Sequence, residues 1–141
     1  MYSSEKLAEI GEKIPESVGE PHQAVFIHDG LCCNMRRNYH GAWCGYVKIP
    51  VTHRLYQKAK LAKAETAYSE VPEFREIDAH GGLTYSAICP VDEGLWLGFD
   101  CAHHTDKTIV FSSGIYRNFE YVIREVKWLA IQLKLLEADL S

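Results

Sequence analysis

Two short polar segments carry the side chains best suited to chemistry. One is the turn formed by His80, Gly81 and Gly82, and the other is the range Asp100–His104. Adjacent glycines let the backbone take positive φ and approach a ligand closely, and the N–H groups of such a turn can bind an oxyanion. The alternative, which is commoner for a bare Gly-Gly pair, is a turn that only reverses the chain.

A possible metal site or acid–base group consists of His80, Asp100, Cys101, His103 and His104. Imidazole, carboxylate and thiolate are ligands that zinc accepts, but the chain has no Cys-x-x-Cys or His-Glu-x-x-His motif. We therefore favour a neutral His80 or His103 hydrogen-bonded to Asp100, which would orient a ligand or satisfy a buried carboxylate. We predict no metal and no other cofactor. We also predict no catalytic nucleophile, since the chain has no Gly-x-Ser-x-Gly motif. Phosphate-loop motifs are missing as well.

The charge of the chain is distributed unevenly. The 141 residues have a net charge of -4, yet no acidic residue occurs between Gly30 and Ala64. The seven basic residues of that stretch leave 8 basic and 19 acidic residues, a net charge of -11, for the rest. This polarity favours a local anion site and disfavours duplex nucleic acid as a partner. Lysines 58–63 are typical of a solvated helix, so Arg36 and Arg37 are the better anion ligands.

Aromatic residues are interleaved with these cations. Trp43, Tyr46 and Tyr56 occur in the same stretch as Arg36 and Arg37, and such a mixture can stack on a base while it neutralises phosphate. The ordinary alternative is packing within strands and core, which is the better interpretation for Trp43 or Tyr46 taken singly.

The composition and the hydrophobic pattern predict how these residues are positioned. With 47% hydrophobic and 24% charged residues, the chain is typical of one folded domain over residues 1–141. Five irregularly spaced cysteines favour a reducing cytosol over a disulfide framework. The absence of an apolar signal or spanning segment leads us to expect a cytoplasmic protein with no membrane contact.

The elements follow from periodicity and turn signals. A helix capped by Ser3 or Ser4 and stopped by Pro15 forms an N-terminal extension over residues 1–22. Residues 23–101 form a mostly antiparallel sheet, in which Asp29-Gly30 is a strong hairpin signal. Its predicted strands are 24–28, 31–37, 42–49, 74–79, 83–89 and 95–101. If 83–89 pairs with 95–101, the turn at His80 meets Asp100.

The last predicted element is a helix over residues 117–140. Its apolar residues recur at steps of three and four from Phe119 to Leu140, which gives one apolar stripe over roughly six turns. One face of the sheet is the natural cover for that stripe. The predicted fold class is therefore α+β, an antiparallel sheet packed by a long C-terminal amphipathic helix.

Two sequence strings occur together, His-Gly-Gly-Leu-Thr at 80–84 and Gly-Phe-Asp-x-Ala-His at 98–103, with further motif residues at Gly45-Tyr46-Val47, Pro50, His53, Tyr56 and Glu120-Tyr121-Val122. On these residues, which span 45–122, the chain resembles a family of small phage and prophage proteins. It departs from the family at residues 51–54 and before about residue 23. The resemblance implies a phage origin and action in the host cytoplasm. By analogy, small accessory phage proteins often counter host defence, and one class of them sequesters nucleotide signals.

These observations support three hypotheses. The first is non-catalytic binding and sequestration of a small phosphorylated or nucleotide ligand, such as a host immune signal. The second is a small hydrolase that uses His80, Asp100 and His103 either around a metal or as acid and base. The third is a surface inhibitor of a host protein. The sequence is also compatible with a homo-oligomer. The predicted ligand-binding residues are Arg36, Arg37, Trp43, Tyr46, His53, Tyr56, His80, Gly81, Gly82, Thr84, Asp100 and His103.

Overall fold

The computed structural model describes residues 3–138, which form a five-stranded antiparallel sheet with a long C-terminal helix packed against one face. The helices are α1 (Ser4–Lys13), α2 (Tyr56–Leu61), α3 (Ala67–Glu70), α4 (Pro72–Arg75) and α5 (Phe119–Glu137). The strands are β1 (Gln23–His28), β2 (Leu31–Arg37), β3 (Trp43–Ile49), β4 (Tyr85–Ile88) and β5 (Leu95–Asp100), in the spatial order β1-β2-β3-β5-β4. The predicted α+β class is confirmed.

Turn chemistry sets the first hairpin. Asp29 and Gly30 both have positive φ, 50° and 77°, as the tight turn between β1 and β2 requires. His28 then pairs with Leu31 directly across that turn. The predicted pairing of residues 83–89 with residues 95–101 also occurs, as β4 with β5, since Ile88 lies opposite Leu95.

One face of the sheet is covered by α5. Alternate side chains of β2 and β3 are fully buried beneath it, including Met35 and Val47, and Leu97 of β5 is fully buried on the same face. Helix α5 comes very close to β3 at Gly45, where an added Cβ would lie 2.5 Å from Val126 Cγ2. The predicted helix over 117–140 is therefore present as Phe119–Glu137, while its last apolar position, Leu140, lies outside the described residues.

The N-terminal extension predicted for residues 1–22 contributes to the interior. Helix α1 begins after Ser3, whose side chain accepts a hydrogen bond from the Lys6 backbone N–H at 3.1 Å. Its apolar positions Ile10 and Ile14 are buried. Both isoleucines lie against Gly41, at 3.0–3.2 Å from the position of an added Cβ, so this segment closes one end of the sheet.

The predicted strand over residues 74–79 is wrong. Pro72 instead opens the short helix α4, because the fixed φ of proline suits the first helical turn. Phe74 and Ile77 are buried at a three-residue spacing, and the Ile77 backbone N–H donates to the Phe74 carbonyl at 3.2 Å. A turn of this kind uses the hydrogen bonds that a strand would have given to the sheet.

The other face of the sheet is open. Val25 and Ile27 on β1 are 63% and 74% exposed, and the same face carries Arg36, Cys44, Tyr46, Lys48, Trp96 and Asp100 by alternation along their strands. All five cysteines are free. Among residues 3–138, no helix combines the length and the apolar character needed to span a membrane.

Candidate functional site

Arg36 and Arg37 point to opposite faces of β2, and only Arg36 is exposed. The Arg37 side chain is 0% exposed and forms a salt bridge with Glu20 at 2.8 Å. It also donates to the Gly41 carbonyl at 3.0 Å and to the Tyr116 hydroxyl at 2.7 Å. The Arg37 guanidinium therefore fixes the N-terminal segment to the sheet, and the ligand role of this residue stays a prediction.

Three other predicted ligand residues are also part of the interior. Trp43 is fully buried and packs against Phe119, with ring centroids 5.6 Å apart. His53 accepts from the Leu55 backbone N–H through Nδ1, so its Nε2 donates to the Leu133 carbonyl at 2.8 Å. Tyr56 is buried and donates its hydroxyl to the Glu93 backbone carbonyl. The ligand roles of Trp43, His53 and Tyr56 stay predictions, and the structure places their side chains in packing and in internal hydrogen bonds.

A cleft of about 780 Å³ lies on the open face of the sheet, next to α1. Two residues of the predicted ligand-binding set, Arg36 and Tyr46, line this cleft. Tyr39 also lines it, with the Lys6 ammonium 3.5 Å from the centroid of its ring. The remaining lining residues are Leu7, His22, Gln23, Arg37, Asn38 and Cys44.

The ring of Tyr46 packs against β5 on the open face. A Cβ added at Gly98 would lie 2.4 Å from Tyr46 Cδ1, so only the absence of a side chain at Gly98 lets the ring come this close to the strand. Tyr85 packs edge-on against it at 5.3 Å, and the Arg36 guanidinium lies 5.9 Å from its centroid. Burial raises the pKa of the Tyr46 hydroxyl to about 12, which keeps the phenol neutral.

Three of the seven basic residues of the basic stretch are paired with acidic residues from elsewhere in the chain. Arg37 pairs with Glu20, and the other two pairs are Lys48 with Asp92 and Lys58 with Glu73. Within residues 3–138, Arg36 forms no salt bridge with a carboxylate. Arg36 therefore gives the cleft a positive charge that no salt bridge among these residues engages.

Asp100 and Thr84 lie on the open face, beyond the cleft. The register places Arg36 opposite Cys44 and Cys44 opposite Asp100. The Asp100 carboxylate accepts from the Thr84 hydroxyl at 3.2 Å and from the Ala102 backbone N–H at 3.1 Å. These two predicted residues therefore share a strand-end row with Arg36.

The carboxylate that binds the two predicted histidines is Asp106. His80 Nε2 lies 2.9 Å from Asp106 Oδ2, and His103 Nδ1 lies 3.1 Å from the same oxygen. The other ring nitrogen of His80, Nδ1, lies 2.7 Å from the hydroxyl of Tyr121 on α5. The predicted pairing of His80 with Asp100 is wrong, because His80 packs towards α5 while Asp100 points to the open face.

The Asp106 carboxylate is fully buried and accepts several hydrogen bonds. Burial by itself raises the pKa of this carboxyl group, but donors from His80, the His103 backbone, Arg117 and the His103 ring outweigh it and hold the pKa at about 2. Arg117 Nε contacts Oδ1 at 2.9 Å. The site thus holds an anion that is matched by a cation and two imidazoles.

Gly81 fits against one of these imidazoles. Its φ is +69°, and a Cβ added there would lie 2.2 Å from His103 Cε1 and 2.4 Å from His103 Nε2. Gly82 has φ +80° with open space around it. Of the predicted site residues, the structure therefore brings together His80, Gly81 and His103 beside Gly82, in a cluster separate from the cleft.

Asp106, Arg117 and Tyr121 complete this cluster, and the sequence predictions did not assign them a role. Asp106 lies in an irregular connection between β5 and α5, where periodicity carries no information. Tyr121 did have a signal, since it lies in Glu120-Tyr121-Val122, one of the segments on which the predicted family resemblance rests. Comparison with protein-family models, with curated proteins and with solved structures found no match to this chain.

Proposed function

We propose that the protein binds and sequesters a small phosphorylated ligand, of nucleotide type, in the cleft on the open face of the sheet. The observation that carries this proposal is the state of Arg36, an exposed cation with no carboxylate partner among the described residues. The phosphate of the ligand would take the place of that partner. A charge-assisted hydrogen bond of this kind contributes about 1.5–3 kcal/mol.

The size of the cleft supports a ligand larger than phosphate alone. Its volume of about 780 Å³ lies within the roughly 300–1,000 Å³ common for small-molecule sites. A mononucleotide or a cyclic dinucleotide would fill such a space, whereas inorganic phosphate would contact only a fraction of the wall.

The aromatic residues of the cleft favour a ligand that has a base. Tyr46 is held over Gly98, and Tyr39 is steadied by the ammonium group of Lys6. A base can stack on a tyrosine face while Arg36 binds the phosphate, and such stacking contributes about 1–3 kcal/mol for each base. The two contacts together would select a nucleotide over a simple anion.

The groups that line the cleft suit binding better than turnover. Burial raises the pKa of the Cys44 thiol to about 11, so the thiol stays protonated and is a poor nucleophile. Tyr46 also stays neutral at physiological pH. The paired histidines His80 and His103 are engaged by Asp106 and belong to the separate cluster.

The biological setting in this proposal comes from the family resemblance. A phage protein in the cytoplasm of its host that held a defence nucleotide without degrading it would lower the free concentration of that signal. Sequestration requires tight binding and enough copies of the protein, and it requires no catalytic group.

The test is incubation with a panel of cyclic dinucleotides, ADP-ribose and cyclic ADP-ribose. The protein is separated from free ligand, denatured by heat, and the released material is identified by chromatography and mass spectrometry. Recovery of intact nucleotide supports sequestration. Recovery of a converted product would instead favour the hydrolase hypothesis, and no retained nucleotide would contradict the proposed function.

A further inference from the structure

Three potential metal-ligand atoms converge beside α5. His80 Nε2, His103 Nδ1 and Asp106 Oδ2 lie within 4.8 Å of one another, and each nitrogen is 2.9–3.1 Å from the carboxylate oxygen. Two ligand atoms bound about 2.1 Å from one ion are about 3.0 Å apart in octahedral coordination and about 3.4 Å apart in tetrahedral coordination, so small shifts of these side chains would admit an ion. We propose that these three residues bind a divalent transition-metal ion of the zinc or iron(II) class.

Each of the three ligands is held by a further contact. The Tyr121 hydroxyl lies 2.7 Å from His80 Nδ1, the nitrogen that would not bind the ion. Arg117 Nε donates to Asp106 Oδ1 at 2.9 Å and the His103 backbone N–H donates to Oδ2 at 3.0 Å, so the carboxylate is held with Oδ2 towards both imidazoles. Metal-binding histidines and carboxylates in proteins are characteristically oriented by such outer contacts. The support for a metal is therefore already built into α5 and its preceding loop.

The third ligand, His103, is held by the shape of the glycine turn. The imidazole occupies the space where a Cβ of residue 81 would be, at 2.2–2.4 Å. Only glycine allows the turn and the ring to approach in this way. The turn consequently brings His80 and His103 to the same carboxylate, with their ring centroids 5.5 Å apart.

The chemistry of the three ligands selects the class of ion. Two imidazoles and one carboxylate suit Zn²⁺ or Fe²⁺, whereas Mg²⁺ and Ca²⁺ prefer oxygen ligands. Three protein ligands leave at least one position for water. Asp106 is fully buried but the His103 side chain is 34% exposed, so the ion would enter from the His103 side.

The competing explanation is a purely hydrogen-bonded cluster. In that case both imidazoles carry a proton towards Asp106, and a metal would have to displace those protons. Metal binding and this protonated arrangement are mutually exclusive at the same nitrogen atoms. The two explanations therefore differ in a measurable way.

The test uses the full chain without a polyhistidine tag, stripped of metal by chelator. Titration with Zn²⁺ is followed by calorimetry, and titration with Co²⁺ is followed by visible absorption. We expect one ion per chain. His103→Ala should weaken binding by more than about 100-fold, because losing even an outer contact costs about 10–100-fold. His104→Ala is the matched control, since His104 is the exposed neighbouring imidazole, and it should bind like the unsubstituted chain.

Circular dichroism verifies that each variant is folded. If His103→Ala unfolds, His103→Gln keeps an amide donor beside Asp106 while it removes the imidazole. Loss of the ion in the folded variant supports the site. Equal binding by His103→Gln and His104→Ala, or no binding of Zn²⁺ or Co²⁺ by the unsubstituted chain, would overturn it. Neither result bears on nucleotide binding in the cleft.

Discussion

The two faces of the sheet differ in how fully their polar groups are paired, and two adjacent arginines demonstrate it. On the covered side, Arg37 reaches Glu20, Gly41 and Tyr116 and has no exposed surface. On the open side, Arg36 lines a cleft and has no carboxylate partner among residues 3–138. The two side chains have the same chemistry, so their position on the strand decides their role.

The difference follows from alternation along a strand. Successive side chains point to opposite faces, so one face of β2 is buried under α5 while the other faces the cleft. A buried cation must be paired to remain charged, whereas an exposed cation is solvated and can exchange water for a ligand. The covered face therefore holds the fold together, and the open face is available for binding.

The largest effect is expected for Arg37→Ala. Removing one partner of a buried ion pair leaves Glu20 uncompensated and costs about 3–5 kcal/mol of unfolding free energy. Arg36→Ala is the matched control and should change that free energy by less than about 0.5 kcal/mol. Urea denaturation measures both. Similar losses in the two variants would remove the contrast between the faces.

A second pair of adjacent residues, Gly81 and Gly82, compares a packed position with an open one. Gly81→Ala places a Cβ within the His103 ring and also keeps a positive φ, so we expect a loss of about 2–3 kcal/mol from overpacking and backbone strain. Gly82→Ala meets only the strain and should lose about 1 kcal/mol. Thermal and urea unfolding of both variants provide the comparison. A larger loss at Gly82 would show that the turn does not pack as described.

The pH dependence of stability tests the Glu20 contacts. Burial raises the pKa of this carboxyl group, but hydrogen bonds from Tyr116, the Phe119 backbone and Arg37 bring it below its ordinary value of 4.5. Its contribution to stability is therefore complete above about pH 4.5 and is lost as the pH falls through the lower pKa of the folded protein.

Glu20→Gln should flatten this acid dependence, as measured by urea unfolding at pH values from neutral to acidic. Glu16→Gln is the control, because Glu16 forms an exposed pair with Lys107 that contributes little. An acid dependence that is unchanged in Glu20→Gln would contradict the proposed role of the covered network.

The fold was largely predictable because its signals are local. The dipeptide Asp29-Gly30 strongly favours a tight turn. The apolar stripe of α5 must be buried, and one face of the sheet is the surface that buries it. Residues 74–79 were misassigned because Phe74 and Ile77 suit either a short strand or a helical turn, and the preference of Pro72 for a first helical turn decided between them.

The candidate sites were less predictable because they depend on long-range contacts. Arg36 and Tyr46 followed from charge and aromatic content, but nothing local distinguished them from Arg37 and Trp43 before the buried face was known. Asp106 was missed because it approaches His80 only through the folding of an irregular connection. Its partner Arg117 lies 11 residues further along the chain, beyond any helical or strand spacing.

The central claim is that Arg36 on the open face binds the phosphate of a nucleotide. The direct measurement is calorimetric titration of the nucleotide retained in the incubation experiment, with Arg36→Ala and Lys48→Ala compared with the unsubstituted chain. Both substitutions remove one positive charge from the same face, but Lys48 is paired with Asp92 and does not line the cleft. We predict a loss of affinity of about ten- to a hundredfold for Arg36→Ala alone, with unchanged stability. Equal affinities for the two variants would contradict the claim.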